Sequence, residues 1–169
     1  MPPHQIESPL PCSLPPHLAE RVHALNAHDL DDSGAFVLCW LHHAIRDHEN
    51  PALDTAIEIA NRALKPVLVY QGLGGDHRFN SDRHHAFILQ GARDLAKGLA
   101  SRGVLYRFHL PTEPTANATD QPSPIRALIA RAAAVITEDF PAPPFPAWSA
   151  AHAARAECAF LAIDAACLM

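Results

Sequence analysis

The sequence predicts an α/β fold: a five-stranded, parallel, Rossmann-like sheet with helices on both faces. Short apolar runs alternate with helical segments along the chain, which is typical of consecutive βαβ units. The run at 67–70 is continuously apolar, as expected of a strand buried on both faces. The run at 36–41 leads through a polar turn to Asn50 and Pro51, which favour the start of a helix. Right-handed crossovers then predict the strand order 3-2-1-4-5.

The composition indicates one globular domain and argues against several other classes of protein. The chain has 169 residues, of which 49% are hydrophobic and 18% are charged. Its net charge of −5 argues against autonomous DNA binding, which normally needs a basic patch. It has no run of about 18 apolar residues, so we expect no membrane span. Because the proline-rich N-terminus lacks the features of a signal peptide, we expect a cytoplasmic location.

Hydrophobic periodicity and turn residues place the elements along the chain. Residues 1–15 are proline-rich and are predicted to form a flexible tail, which leaves 16–169 as the domain. The longest helix is predicted to begin at Ser81 or Asp82, to bury Phe87, and to end before Gly103. The predicted elements are, in order, a helix over 16–28, a strand over 36–41, a helix over 51–64, a strand over 67–70, a helix over 82–102, a strand over 104–110, a helix over 124–133, a strand over 134–137, a helix over 147–156 and a strand over 159–163.

The segment after the first strand carries a family resemblance. The sequence HHAIRDHENPAL, at 42–53, resembles the signature R-R-D-L-R-x-x-D-N-P-A-L of the photolyase/cryptochrome family. Arg46 and the run Asn50-Pro51-Ala52-Leu53 match that signature. His42, His43 and Ala44 depart from it, because the family has two arginines and an aspartate there.

Four further segments extend the resemblance over most of the chain. RHHAFILQG, at 83–91, is similar to the R-H-Y-x-F-M-L-K-G helix of class II photolyases, and this is the most specific match. RVHALNA, at 21–27, resembles the helix before their first strand. ITEDFP, at 136–141, resembles their V-T-D-F-x-P strand end. AIDAACLM, at 162–169, resembles the motif V-D-A-H-N-x-V-P, although Ala166 and Cys167 replace its histidine and asparagine.

The resemblance implies the N-terminal α/β domain of a class II-like deoxyribodipyrimidine photolyase. In the family this domain can hold an antenna chromophore such as a deazaflavin or a folate. A helical domain that follows it binds FAD and damaged DNA, and the reduced flavin performs the repair chemistry. We therefore expect neither FAD binding nor catalysis from this chain alone, and we predict no catalytic residue in it. The expected partner is a FAD-binding helical domain, through which DNA is contacted only indirectly.

The candidate site lies where the first and fourth predicted strands end. In the order 3-2-1-4-5 these strands flank the crevice of the sheet, so the loops that follow them should face each other. The alternative for the first loop is an ordinary turn with solvated histidines. The candidate antenna-binding residues are Trp40, Leu41, His42, His43, Arg46, Glu49, Asn50, Asp139 and Phe140.

Other readings of the chain stay open or are disfavoured. The 12 histidines show no H-E-x-x-H spacing, so we expect no metal site. The loop GLGG, at 72–75, lacks the spacing of a phosphate-binding motif, so a flexible turn is the better interpretation. Trp40 is expected to pack in the core. Two alternative functions remain: a small nucleotide-binding or stress-type α/β protein, and a ligand-free relic that only binds a partner.

Overall fold

The computed structural model describes residues 14–73, 81–110 and 124–165. The tail at 1–13, most of the glycine-rich loop and the last four residues of the closing motif lie outside these ranges. The elements are α1 Pro16–Ala19, β1 Val22–Ala24, β2 Phe36–Leu41, α2 Pro51–Ala63, β3 Val67–Gly72, α3 Asp82–Ser101, β4 Leu105–His109, α4 Pro124–Ile129, β5 Ala132–Glu138, α5 Phe145–Ala153 and β6 Ala159–Ile163.

One sheet contains all six strands, in the order β1-β6-β5-β2-β3-β4. The five predicted strands are β2, β3, β4, β5 and β6, and they pair in parallel in the predicted order 3-2-1-4-5. The prediction of a purely parallel, five-stranded sheet was wrong, however. β1 pairs antiparallel with β6, where Val22 lies opposite Ile163, so the sheet is mixed.

The extra strand replaces most of the helix that was predicted over 16–28. That helix ends at Ala19, and the chain then runs along the edge of the sheet. Asn26 holds it there, because its Nδ2 donates to the carbonyl oxygens of Ala153 at 3.3 Å and Cys158 at 3.0 Å. A strand of three residues is too short to show alternation, so its apolar residues also fit a helical period.

Two apolar clusters cover the two faces of the sheet, as predicted for helices on both sides. Alternate side chains of β2 point to opposite faces. Val37, Cys39 and Leu41 pack with α2 and with the second half of α3. Leu38 and Trp40 pack with α4 and α5 on the other face. Cys39 and Trp40 thus lie in the core, as expected.

The predicted start of α3 is confirmed, but its predicted buried face is partly wrong. Ser81 caps the helix by accepting a hydrogen bond from the backbone N–H of His84, at 3.2 Å. Gly103, with φ of +72°, follows the helix as expected. Phe87 is 73% exposed, because the buried residues of α3 all lie in its second half. Only that half of the helix packs on the sheet.

The strand β5 begins two residues earlier than predicted, and α4 ends four residues earlier. Ala132 and Ala133 read as helix by propensity, yet both are buried in the centre of the sheet. A side chain at Gly34 would place its Cβ only 2.3 Å from the backbone nitrogen of Ala133. The close approach of these two segments therefore requires a glycine at position 34. Within the described residues, no helix is both long and apolar enough to cross a membrane.

Candidate functional site at the crevice between β2 and β5

The sheet order places the candidate site at a topological switch point. From β2 the chain winds outward through β3 and β4, whereas from β5 it winds the opposite way through β6. The loops that leave β2 and β5 therefore separate at the carboxyl edge of the sheet and leave a crevice. His43, after β2, and Phe140, after β5, meet across it with ring centroids 4.0 Å apart. This contact confirms that the two predicted loops face each other.

Glu138, the last residue of β5, organises the first loop and was missed by the sequence analysis. Its side chain is 3% exposed. Its Oε2 accepts hydrogen bonds from the backbone N–H groups of His42 at 2.5 Å and His43 at 2.7 Å, and its Oε1 accepts one from Ala44 at 2.5 Å. We call these three backbone N–H groups the amide nest. A carboxylate at the end of a strand of apolar residues and threonine, directly before Asp139, was the signal available in the sequence.

Asn50 fixes the other end of the same loop. Its Nδ2 donates to the carbonyl oxygens of Ala44 at 2.9 Å and Arg46 at 3.0 Å. Its Oδ1 accepts from the backbone N–H groups of Ala52 at 3.2 Å and Leu53 at 3.3 Å, which caps α2 as predicted. Because the Asn50 side chain is completely buried, it shapes the loop from below and does not face a ligand.

The imidazole of His42 lies among aromatic rings and is not solvated. Its centroid is 4.2 Å from Trp40, 5.3 Å from Phe145 and 6.4 Å from Trp148. Its Nε2 is buried and has no hydrogen-bond partner among the residues that the structure describes. Burial, with smaller contributions from His152 and His43, lowers the pKa of His42 to about 4. His42 is therefore neutral at physiological pH.

A small recess, open to solvent, lies between the two loops. It contains two carboxylates, Glu138 and Asp139, and no lysine or arginine lines its described part. Nδ1 of His23 lies 3.8 Å from Asp139 Oδ2. The lining residues are His43, Ala44, Glu138, Asp139, Phe140 and Ala165.

The remaining predicted site residues do not line the recess. Trp40 and Leu41 are buried in the two apolar clusters, on opposite faces of the sheet. Arg46 is exposed on the outer side of the loop, where its Nε donates to the carbonyl oxygen of Glu49 at 2.9 Å. Glu49 is also exposed and has a φ of +48°. Of the predicted residues, His43, Asp139 and Phe140 are therefore the ones that the structure brings together around the recess.

The described residues form no candidate metal centre, and they include only the start of the glycine-rich loop. In 14–73, 81–110 and 124–165, no group of three histidine, cysteine or acidic side chains is placed to hold a metal ion. Most of the glycine-rich loop, from 74 to 80, lies outside those ranges, so its predicted turn is untested.

Comparison with known proteins supports the resemblance drawn from the sequence. The chain is 40% identical over 86 residues to the deoxyribodipyrimidine photo-lyase of Methanothermobacter thermautotrophicus. The match spans 51% of this chain and 19% of the photo-lyase. The chain is photolyase-like over about half of its length. No protein-family model matches it.

Solved structures with similar backbones include universal stress proteins. The universal stress protein from Archaeoglobus fulgidus in complex with dAMP is 15% identical, with a TM-score of 0.48, over 78% of this chain and 99% of that one. A protein of the same family from Burkholderia pseudomallei is 22% identical, with a TM-score of 0.46, over 80% of this chain and 99% of that one.

Proposed function

We propose that this chain is a photolyase-like α/β domain that serves light-dependent DNA repair by holding an antenna chromophore. The observation that carries the proposal is the 40% identity over 86 residues with a deoxyribodipyrimidine photo-lyase. The proposed chromophore is a deazaflavin or a folate, the two classes that the resemblance implies. The proposed site is the recess between the loops after β2 and β5.

The chemistry of the recess supports a flat aromatic ligand. Phe140 and His43, whose rings meet across the crevice, offer aromatic surface to the recess, and Phe140 also makes a T-shaped contact with Phe145, with ring centroids 5.7 Å apart. Aromatic side chains stack on planar rings and contribute large apolar contact areas. The neutral imidazole of His42 adds no positive charge at the edge of the site.

The size of the recess supports a site that is completed by a partner. Pockets for small ligands commonly bury most of the ligand's surface. The recess is small and open to solvent, so it would take only part of a deazaflavin or folate ring system. We propose that a FAD-binding helical domain, joined to this chain or separate from it, covers the rest. In this arrangement the catalytic flavin and the DNA belong to the helical domain.

Titration of the purified chain with a deazaflavin and with a folate, followed by chromophore fluorescence, tests the proposed site. Replacing Phe140 with alanine should weaken binding about tenfold, because one stacking wall is lost; a stacked ring contributes about 1–3 kcal/mol. Leu105→Ala is the control, since Leu105 is 49% exposed on β4, at the edge of the sheet away from the recess. Equal loss in both variants, or no binding by the wild type, would contradict the proposed site.

A repair assay tests the proposal that catalysis belongs to the helical domain and not to this chain. The 169-residue chain should show no light-dependent repair of cyclobutane pyrimidine dimers by itself, because flavin chemistry is assigned to the helical domain. It should also not retard undamaged DNA at physiological salt, given its net charge of −5. Repair by the isolated chain under light would contradict the assignment.

A further inference from the structure

The amide nest is an anion-binding arrangement that the protein fills from within. Three consecutive backbone N–H groups, from His42, His43 and Ala44, converge on one carboxylate, that of Glu138. Successive N–H groups that point at a common centre form a concave anion site, as in many phosphate-binding loops. Here the bound anion is a side chain of the same polypeptide.

The amide nest lies where a ligand would bind, so its occupation by Glu138 affects which ligands can enter. It lies where β2 and β5 end, at the switch point at which parallel α/β sheets bind their ligands. A phosphate group entering here would meet N–H groups that already donate to Glu138. To use them it would have to displace a carboxylate that is 97% buried and leave it without its three hydrogen bonds.

The charges around the amide nest also disfavour the binding of a phosphate group. Asp139 adds a second carboxylate to the recess. Among the described lining residues there is no arginine or lysine that could offset a phosphate. His42, whose backbone contributes to the nest, keeps a neutral ring. An incoming anion would therefore meet two carboxylates and, in this described lining, no lysine or arginine. The basic side chains facing them are the imidazoles of His43, in the lining, and His23, whose Nδ1 lies 3.8 Å from Asp139 Oδ2.

We propose that Glu138 determines the ligand specificity of the crevice, by filling the amide nest and so excluding phosphate-bearing ligands such as nucleotides. The ligand class that remains is uncharged or cationic at the end that reaches the nest. This inference stands on the contacts of Glu138 alone and is independent of the proposed antenna function.

Thermal unfolding in the presence of inorganic phosphate or AMP tests the proposal. The wild type should show no ligand-dependent rise in Tm beyond that given by chloride at equal ionic strength. Glu138→Ala empties the nest, so its Tm should rise with phosphate concentration, corresponding to an affinity at least tenfold above that of the wild type. A wild type stabilised as strongly as the variant, or a folded variant indifferent to phosphate, would overturn the proposal.

Asp139→Ala is the matched control, because it removes an equal charge from the recess and leaves the nest filled. It should remain indifferent to phosphate. Phosphate binding by Asp139→Ala equal to that of Glu138→Ala would show that the total charge of the recess decides, and would overturn the role of the nest.

A measurement on the wild type keeps the proposal testable if Glu138→Ala does not fold. The amide resonances of His42, His43 and Ala44 can be followed in a ¹H–¹⁵N spectrum while phosphate or AMP is added. The proposal expects these three resonances to stay in place. Saturable shifts at the three amides would show that an external anion enters the nest, and would overturn the proposal.

Discussion

Replacing Asn50 with alanine should destabilise the domain far more than loss of a helix cap would. Asn50 is completely buried and makes four hydrogen bonds, two as donor and two as acceptor. The alanine variant would leave the carbonyl oxygens of Ala44 and Arg46 without this donor. It would also remove the cap from the N–H groups of Ala52 and Leu53.

The expected loss in the free energy of unfolding follows from these contacts. Loss of an N-cap typically costs about 1 kcal/mol. Each of the two lost donor bonds adds a net contribution of about 1 kcal/mol. The penalty of an unsatisfied buried carbonyl does not apply in full, because the Ala44 carbonyl still accepts from the backbone N–H of Arg46 at 3.0 Å and the bond to the Arg46 carbonyl is part-buried. The sum is about 3 kcal/mol, which a domain with about 5–15 kcal/mol of stability can survive. The variant should therefore fold and be measurable.

Urea unfolding followed by circular dichroism measures this loss as a lower midpoint at an unchanged m-value. Asn61→Ala is the control, because Asn61 lies on the exposed side of the same helix and its replacement should change stability by less than about 0.5 kcal/mol. A loss of about 1 kcal/mol or less in Asn50→Ala would refute the reasoning. It would mean that the two donor bonds do not hold the loop.

Three further predictions concern stability and reactivity. Burial lowers the pKa of His42 in the folded state to about 4 from 6.5, so the unfolded state takes up the proton first as the pH falls. The free energy of unfolding should therefore decrease by up to about 3 kcal/mol between about pH 6.5 and pH 4. His42→Phe should flatten this part of a plot of urea midpoint against pH, and an unchanged slope would contradict the account. Gly98→Ala should lower the free energy of unfolding in urea by about 1–3 kcal/mol, because the new Cβ would clash with the Asp47 side chain. Gly91→Ala is the control and should be neutral or stabilising, because its Cβ would contact only Ile45, at 3.7 Å. Equal effects of the two changes would refute the packing argument. At most two of the four thiols in the native protein should react quickly with Ellman's reagent at pH 8. Burial raises the pKa of the Cys39 thiol and raises that of Cys158 to about 11, so both stay protonated and unreactive. Three or more fast-reacting thiols would contradict the burial of these two cysteines.

The sequence predicted the parallel part of the fold because its signals are local and consistent. Continuous apolar runs mark buried strands, and Asn50 with Pro51 marks the start of α2. The handedness of crossovers then leaves few possible strand orders. The strand β1 escaped prediction because its pairing with β6 is a long-range contact between segments about 140 residues apart. Three residues carry no periodic pattern that would reveal such a contact.

The candidate site was predicted in its position but only partly in its residues. The strand order predicted that the loops carrying His43 and Phe140 lie opposite each other, and the two rings are in contact. Exposure of Arg46 depends on the path of the loop, which Glu138 and Asn50 fix through backbone hydrogen bonds. Leu41 is the last residue of β2 and is buried with the alternate side chains Val37 and Cys39 of that strand. Such bonds join a side chain to main-chain atoms of any residue type, so no sequence motif marks the receiving positions. The same reason explains why Glu138 itself was missed.

The absorption spectrum of the purified chain tests the proposed function most directly. The protein would be expressed in a host that makes both deazaflavin and folate, and its spectrum recorded from 300 to 500 nm, roughly the range in which such chromophores absorb and aromatic side chains do not. The antenna proposal predicts a chromophore band that copurifies with the wild type and is reduced in Phe140→Ala. A wild-type spectrum with protein absorption alone, from a host shown to contain both chromophores, would contradict the antenna role.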